Sequence, residues 1–210
     1  MDLIDQRLSD YSSAHTTSET DLLKKINRDT HANVLKPRML SGHLQGRLLS
    51  MLSHMIQPSS ILEIGTYTGY SAICLAEGLR PGGKLITIDR NEELESKVRS
   101  YFKEAGYDKT IELLIGNALH IIPTLTTTFD LVFIDADKEN NSRYFDLVID
   151  KVPSGGYILA DNVLWSGKVI GATDKDTRAV TDFNDKVHND PRVENVLLPV
   201  RDGIMIMRKL

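Results

Sequence analysis

The sequence predicts a doubly wound α/β fold: a seven-stranded sheet, mostly parallel, with an antiparallel C-terminal hairpin and helices before it. Three observations predict it. From residue 61 onward, short apolar runs alternate with longer amphipathic segments, the pattern of a parallel sheet covered on both faces. The first apolar run ends in a turn bracketed by Gly65 and Gly69. The last two runs flank Arg201-Asp202-Gly203, and Asp-Gly between apolar runs is a hairpin signal.

The elements follow in order. Residues 1–57 read as helices. Ser18, followed by Asp21 and then Leu22, Leu23 and Ile26, marks a helix start with an acidic first turn. Leu44, Leu48, Leu49, Leu52, Met55 and Ile56 recur at helical spacing, and Pro58 closes that run. Residues 58–210 form the Rossmann-like core. Its strands are expected at 61–64, 85–88, 111–115, 131–134, 157–160, 193–200 and 204–207. Helical patterns fall between them, at 72–79, 94–105 and 144–152. The whole chain, 1–210, is read as one domain, and 210 residues suffice to bury its core.

Composition excludes several classes. Hydrophobic residues are 41% and charged residues 26%, as in soluble globular proteins. A net charge of −4 without a basic patch argues against a nucleic-acid partner. No apolar run reaches the ~20 residues of a membrane helix, and the charged start MDLIDQRLSD lacks the apolar centre of a signal peptide. The single cysteine, Cys74, permits no internal disulfide, which fits a reducing cytosol. Its place on the apolar side of a helix reads as core packing. A cytoplasmic protein is expected.

Ile61-Leu62-Glu63-Ile64-Gly65-Thr66-Tyr67-Thr68-Gly69-Tyr70-Ser71 reads as a strand, a tight turn and a helix start. The glycines let the backbone turn sharply and approach a ligand. This is neither G-x-G-x-x-G nor a phosphate loop. Glu63 sits inside the strand, where a buried carboxylate needs a partner. A cationic or hydrogen-bond-donating ligand would supply one, and neighbouring amides are the structural alternative. The second strand ends in Asp89, where an acid accepts ribose hydroxyls in nucleotide-type folds. Capping the helix before Glu92 and Glu93 is its alternative. The third strand ends in Gly116-Asn117-Ala118, a natural place for backbone contacts to an adenine ring.

The fourth and fifth strands end in Asp135-Ala136-Asp137-Lys138 and Asp161-Asn162. Ligands of open parallel sheets sit beyond the carboxyl ends of the strands, so Asp135, Asp161 and Asn162 should converge there. An oxygen-only set suits Mg²⁺, Ca²⁺ or Mn²⁺. A dication beside Lys138 disfavours its ammonium form, and a neutral amine is what a general base requires. Trp165, on the loop after Asn162, is placed to wall a substrate. The six histidines show no metal-ligand spacing.

Together these residues resemble the metal-dependent class I O-methyltransferases: the caffeoyl-CoA O-methyltransferase family and its bacterial relatives, with catechol O-methyltransferase as a more distant cousin. The likeness runs from about Asp21 to Leu210. It is carried by Met39-Leu40-Ser41-Gly42-His43-Leu44-Gln45-Gly46, the glycine turn, Asp135–Lys138 and Asp161-Asn162-Val163-Leu164-Trp165. It implies that Ser41, Glu63, Gly65, Ser71, Asp89, Ala118 and Asp137 contact S-adenosylmethionine. It implies that Asp135, Asp161 and Asn162 hold a divalent metal, most often Mg²⁺, and that Lys138 is the base. Met39, Trp165 and Ser166 would face a catechol-like phenolic substrate. A homodimer is the family's common assembly. Two departures argue against caffeoyl-CoA itself as the substrate. Asn141 stands where the family often has tyrosine, and Ser166 stands where the plant enzymes have asparagine. Two other functions stay open at this point: an NAD(P)-dependent oxidoreductase, disfavoured by the missing G-x-G-x-x-G, and a non-catalytic cofactor-binding interaction protein.

Overall fold

The computed structural model describes residues 5–210, so the first four positions of the expected helical region lie outside the described residues. Three helices come first: α1 (Gln6–Ala14), α2 (Asp21–Asn33) and α3 (Gly42–Ile56). The core then alternates β1 (Ser60–Ile64), α4 (Tyr70–Ala76), β2 (Lys84–Asp89), α5 (Glu95–Glu104), β3 (Ile111–Ile115) and α6 (Ala118–Ile121). It continues with β4 (Leu131–Ile134), α7 (Asn141–Val148), β5 (Tyr157–Asp161), α8 (Lys175–His188), β6 (Val193–Leu198) and β7 (Ile204–Lys209).

The sheet order is β3-β2-β1-β4-β5-β7-β6. Strands β1 to β5 are mutually parallel, and β7 runs antiparallel to both of its neighbours. This is the expected seven-stranded architecture with its C-terminal hairpin. Strand order reverses between β1 and β4, the switch point where open α/β sheets bind ligands.

Both faces of the sheet are covered, which is why its central strands read as unbroken apolar runs. Successive side chains point to opposite faces. Leu62, Ile64, Val132 and Ile134 join Phe145, Val148 and Phe183 of α7 and α8 on one side. Ile61, Leu131 and Phe133 join Leu23, Leu49 and Phe102 of α2, α3 and α5 on the other. Truncating fully buried Phe133 to alanine would cost about 3–5 kcal/mol, by the usual penalty for a large core cavity.

Local details differ from the sequence reading. Thr20, not Ser18, caps α2, its Oγ1 accepting from Leu23 N at 3.3 Å. The helical pattern at 144–152 starts earlier, at Asn141, and tightens into a 3₁₀ turn at Ile149–Lys151. On α3 the buried face is Gln45, Gly46, Leu49, Ser50 and Ser53, whereas Met55 of the apolar stripe is 75% exposed. Close packing on α4 explains this. A Cβ at Gly46 would lie 2.5 Å from the Tyr70 ring, and Ser53 Oγ donates to Leu75 O at 2.6 Å. Small and polar residues therefore take the contact. Among the described residues no helix is long and apolar enough to cross a membrane.

Candidate active site

Two clefts open at the C-terminal edge of the sheet. The first, about 430 Å³, is walled by Ser41, Ser71, Lys138, Asp161, Asn162 and Trp165 among others. The second, about 250 Å³, lies against Asp89, Asn117 and Ala118. They share Met39, Gly65, Tyr67 and Asp135–Asp137, so they meet at the switch point.

Gly65 makes the junction possible. Its φ is +106°, and a Cβ there would stand 2.1 Å from Asp135 O. Only glycine lets the turn after β1 pass the end of β4 this closely. Asp89 then ties down the same turn. Its Oδ2 accepts from Tyr67 N at 2.7 Å and its Oδ1 from Asn91 N at 2.9 Å. The capping role considered for Asp89 falls instead to Asn91, whose side chain accepts from Glu93 N.

Glu63 has no exposed surface and lies behind the turn, outside the walls of both clefts. Its Oε2 accepts from Thr87 Oγ1 at 2.5 Å, while Oε1 has no partner. Burial pushes its carboxyl up to about 8. The hydroxyls of Ser71 and Thr87 oppose that shift, and the nearby Asp135 and Asp89 add to it.

The acids converge as expected. Asp135 follows β4, Asp161 ends β5, and both line the first cleft with Asn162, which adopts a left-handed φ of 59°. Asp161 Oδ1 accepts from Asn162 N at 2.8 Å, and its Oδ2 from Gln45 Nε2 at 2.7 Å. Lys138 Nζ donates to Asp135 Oδ1 at 3.0 Å, with both side chains largely buried. Burial raises the Asp135 carboxyl well above its ordinary value. Lys138 opposes this and Asp161 adds to it. Asp137 reaches the other way, accepting from Tyr144 Oη at 2.7 Å and from the Asn140 amide.

Among the described residues no three His, Cys, Asp or Glu side chains are grouped to hold a metal ion. The predicted set has only two carboxylates, and its third member is a carboxamide. Its chemistry still fits a hard cation: all donors are oxygens, and the crowded acids hold negative charge that a cation would balance.

Trp165 lines the first cleft, with its indole Nε1 buried and unpartnered. It opens three consecutive left-handed residues, with φ of 48°, 54° and 77° through Gly167. Ser166 is exposed and outside the cleft wall, and its backbone N donates to Asp202 Oδ1.

Arg201, Asp202 and Gln45 are site residues that the sequence reading did not assign. The hairpin signal located Arg201 and Asp202 but gave them only a turn. Register supplies the rest: Asp161 pairs with Ile204, so the turn before β7 must lie beside the end of β5. Gln45 lies in the segment that carries the family resemblance, but no role was assigned to it there.

The O-methyltransferase family model matches residues 11–210. A caffeoyl-CoA O-methyltransferase of Mesembryanthemum crystallinum is 36% identical over 206 residues, covering 91% of this chain and 81% of that protein. Two crystal structures are similar throughout. The SAH-bound Podospora anserina methyltransferase superposes with a TM-score of 0.90 at 28% identity, covering 98% of this chain and 94% of that one. The O-methyltransferase TomG of Streptomyces achromogenes, involved in tomaymycin synthesis and in complex with SAM, gives 0.88 at 30% identity over 97% and 96%.

Proposed function

The chain belongs to the O-methyltransferase family, and from that premise we propose that it methylates one hydroxyl of a catechol-like phenol, with S-adenosylmethionine as donor. Asp135, Asp161 and Asn162 hold a divalent cation, and Lys138 is the base. The observation that carries this reading is the meeting of the two clefts at Gly65 and Asp135–Asp137, with Lys138, Asp161 and Asn162 on the first cleft alone. A donor in the second cleft and an acceptor in the first would face one another across that junction.

When bound, S-adenosylmethionine supplies an electrophilic methyl group, and the cation supplies Lewis acidity toward a phenolic oxygen. The chain's own residues do the rest. Asp89 and Ala118 border the cleft for the adenosine half, Ser41 and Ser71 border the first cleft, and Asp137 borders both. Gly65 offers backbone without a side chain. The orphaned Glu63 Oε1 lies buried behind that backbone. Trp165 walls the phenol ring, and Met39 borders both clefts. Lys138 Nζ takes the proton from the reacting hydroxyl and later returns it to solvent, so the product leaves as a neutral methyl ether. Positioning and fixed charge account for most of the acceleration.

The homodimer belongs to the same reading. Its support is the pair of methionines that α3 leaves exposed in the single chain, Met51 at 61% and Met55 at 75%.

The test is transfer of a labelled methyl group to a panel of catechols, caffeate derivatives and flavonoids. Transfer to a vicinal diol, and not to the matching monophenol, supports the reading. Binding of S-adenosylmethionine without transfer to any of them contradicts it.

A further inference from the structure

A chain of hydrogen bonds runs from the C-terminal hairpin through α3 to Asp161. Arg201 Nη1 donates to Gln45 Oε1 at 2.9 Å, and Gln45 Nε2 donates to Asp161 Oδ2 at 2.7 Å. Gln45 is 1% exposed and Asp161 3%, so the link between them is closed to solvent. A buried carboxamide is costly unless both its ends are bonded. Arginine only donates and a carboxylate only accepts, so one orientation of Gln45 satisfies all three groups. Glutamate would set two carboxylates against each other, and leucine would break both of these bonds.

The hairpin is shaped around this contact. Arg201 adopts a left-handed φ of 52°, which a non-glycine residue holds only when its surroundings demand it. The same Nη1 also donates to Leu40 O at 3.1 Å and to Ser41 O, the segment that enters α3. Asp161 Oδ1 is already taken by Asn162 N. With Oδ2 held by Gln45, the carboxylate cannot rotate without breaking a bond.

Resting on the proposed reading of Asp161 as a metal ligand, we infer that Gln45 is a positioning residue that fixes the Asp161 carboxylate and so sets the affinity of the site for a divalent cation, with Arg201 fixing Gln45 in turn. Hydrogen-bond partners of ligating carboxylates commonly change metal affinity by roughly 10–100-fold when removed.

The experiment is calorimetric titration of Mn²⁺ into the whole protein and its Gln45→Met variant. S-adenosylhomocysteine affinity, measured alongside, reports an intact fold and cofactor cleft. The Mn²⁺ Kd should rise roughly 10–100-fold in the variant while S-adenosylhomocysteine affinity stays at the wild-type value. Arg201→Lys, which keeps a donor facing Gln45, should retain more Mn²⁺ affinity than Arg201→Ala. Adding Arg201→Ala to Gln45→Met should weaken Mn²⁺ binding no further, because both cut one chain. A merely structural glutamine would lower the melting temperature and leave the Mn²⁺ Kd alone, and that result overturns the inference. If Gln45→Met does not fold, Arg201→Ala decides, and an unchanged Kd there overturns it as well. Wild-type protein that binds S-adenosylhomocysteine but no Mn²⁺ overturns the metal reading itself. Wild-type Mn²⁺ binding with unshifted variants overturns this inference alone.

Discussion

Tyr67 N donates to Asp89 Oδ2 at 2.7 Å, so the acid that ends β2 is built into the turn that ends β1. Asp89 therefore has two tasks under the proposed function: it shapes the glycine turn and it faces the cofactor cleft. Asp89→Ala should weaken S-adenosylmethionine binding by about 1.5–3 kcal/mol, the loss expected for hydrogen bonds to a charged acceptor. It should also lower the melting temperature, because Tyr67 N loses its partner. Asp89→Asn keeps an acceptor for that amide and should melt nearer wild type while still binding the cofactor more weakly. Calorimetry and thermal melting together separate the tasks, and unchanged affinity in folded Asp89→Ala would leave only the turn.

The close approach of the turn after β1 to the end of β4 predicts a severe glycine phenotype. A Cβ at Gly65 meets Asp135 O at 2.1 Å, and the backbone φ there is +106°. Gly82, in a surface turn, shares the positive φ but has open space around its Cβ. Gly65→Ala should destabilise the chain by about 3 kcal/mol or more, combining strain and overpacking. Gly82→Ala should cost only the conformational part, about 1 kcal/mol. Urea unfolding of the two variants measures the difference, and equal losses would mean that the close approach to Asp135 does not matter.

Glu63 gives the apo protein a defined pH dependence. Its ordinary carboxyl value of 4.5 is raised to about 8 by burial. The protonated form is therefore favoured in the folded state. Its contribution to stability is complete below about 4.5 and is lost as pH rises through about 8. The wild-type melting temperature should fall between those limits, and Glu63→Gln should remove that part of the slope. Scanning calorimetry of both proteins from pH 5 to pH 9 checks it, and parallel curves would mean that Glu63 is not the titrating group.

Most of the fold was legible in the sequence, because buried parallel strands write themselves as apolar runs and tight turns require glycine. What stayed hidden was contact between distant segments. Of the apolar stripe on α3, Leu49 is buried, but close packing on α4 also buries Gln45, Gly46 and Ser53, which the stripe did not include. Asp135, Asp161 and Asn162 could be placed on one edge from strand order alone. Gln45, 116 positions before Asp161, could not, because nothing local marks a glutamine as a carboxylate's partner. Arg201 and Asp202 read as turn residues until the β5–β7 register set them beside the site.

Under the proposed function the all-oxygen edge set predicts metal dependence. Exhaustive chelation should abolish methyl transfer, and added Mg²⁺ or Mn²⁺ should restore it. Asp161→Ala should show the same loss without rescue at ordinary metal concentrations. A steady-state assay with and without EDTA is sufficient, and full turnover after chelation would remove Asp135, Asp161 and Asn162 from metal binding.

Under the proposed function Lys138, held 3.0 Å from Asp135 in the first cleft, accepts the phenolic proton. A placed general base is worth roughly 10²–10⁴ in rate. The most direct measurement is kcat of Lys138→Arg on a dihydroxyphenol at saturating Mg²⁺ and S-adenosylmethionine, beside Lys138→Ala. Arginine preserves the positive charge but stays protonated at any working pH. Both variants should bind cofactor and lose roughly 10²–10⁴ in kcat, the arginine no better than the alanine. Wild-type turnover by Lys138→Arg would rule out Lys138 as the base, because the residue would then act as a fixed charge and the proton would leave by another route.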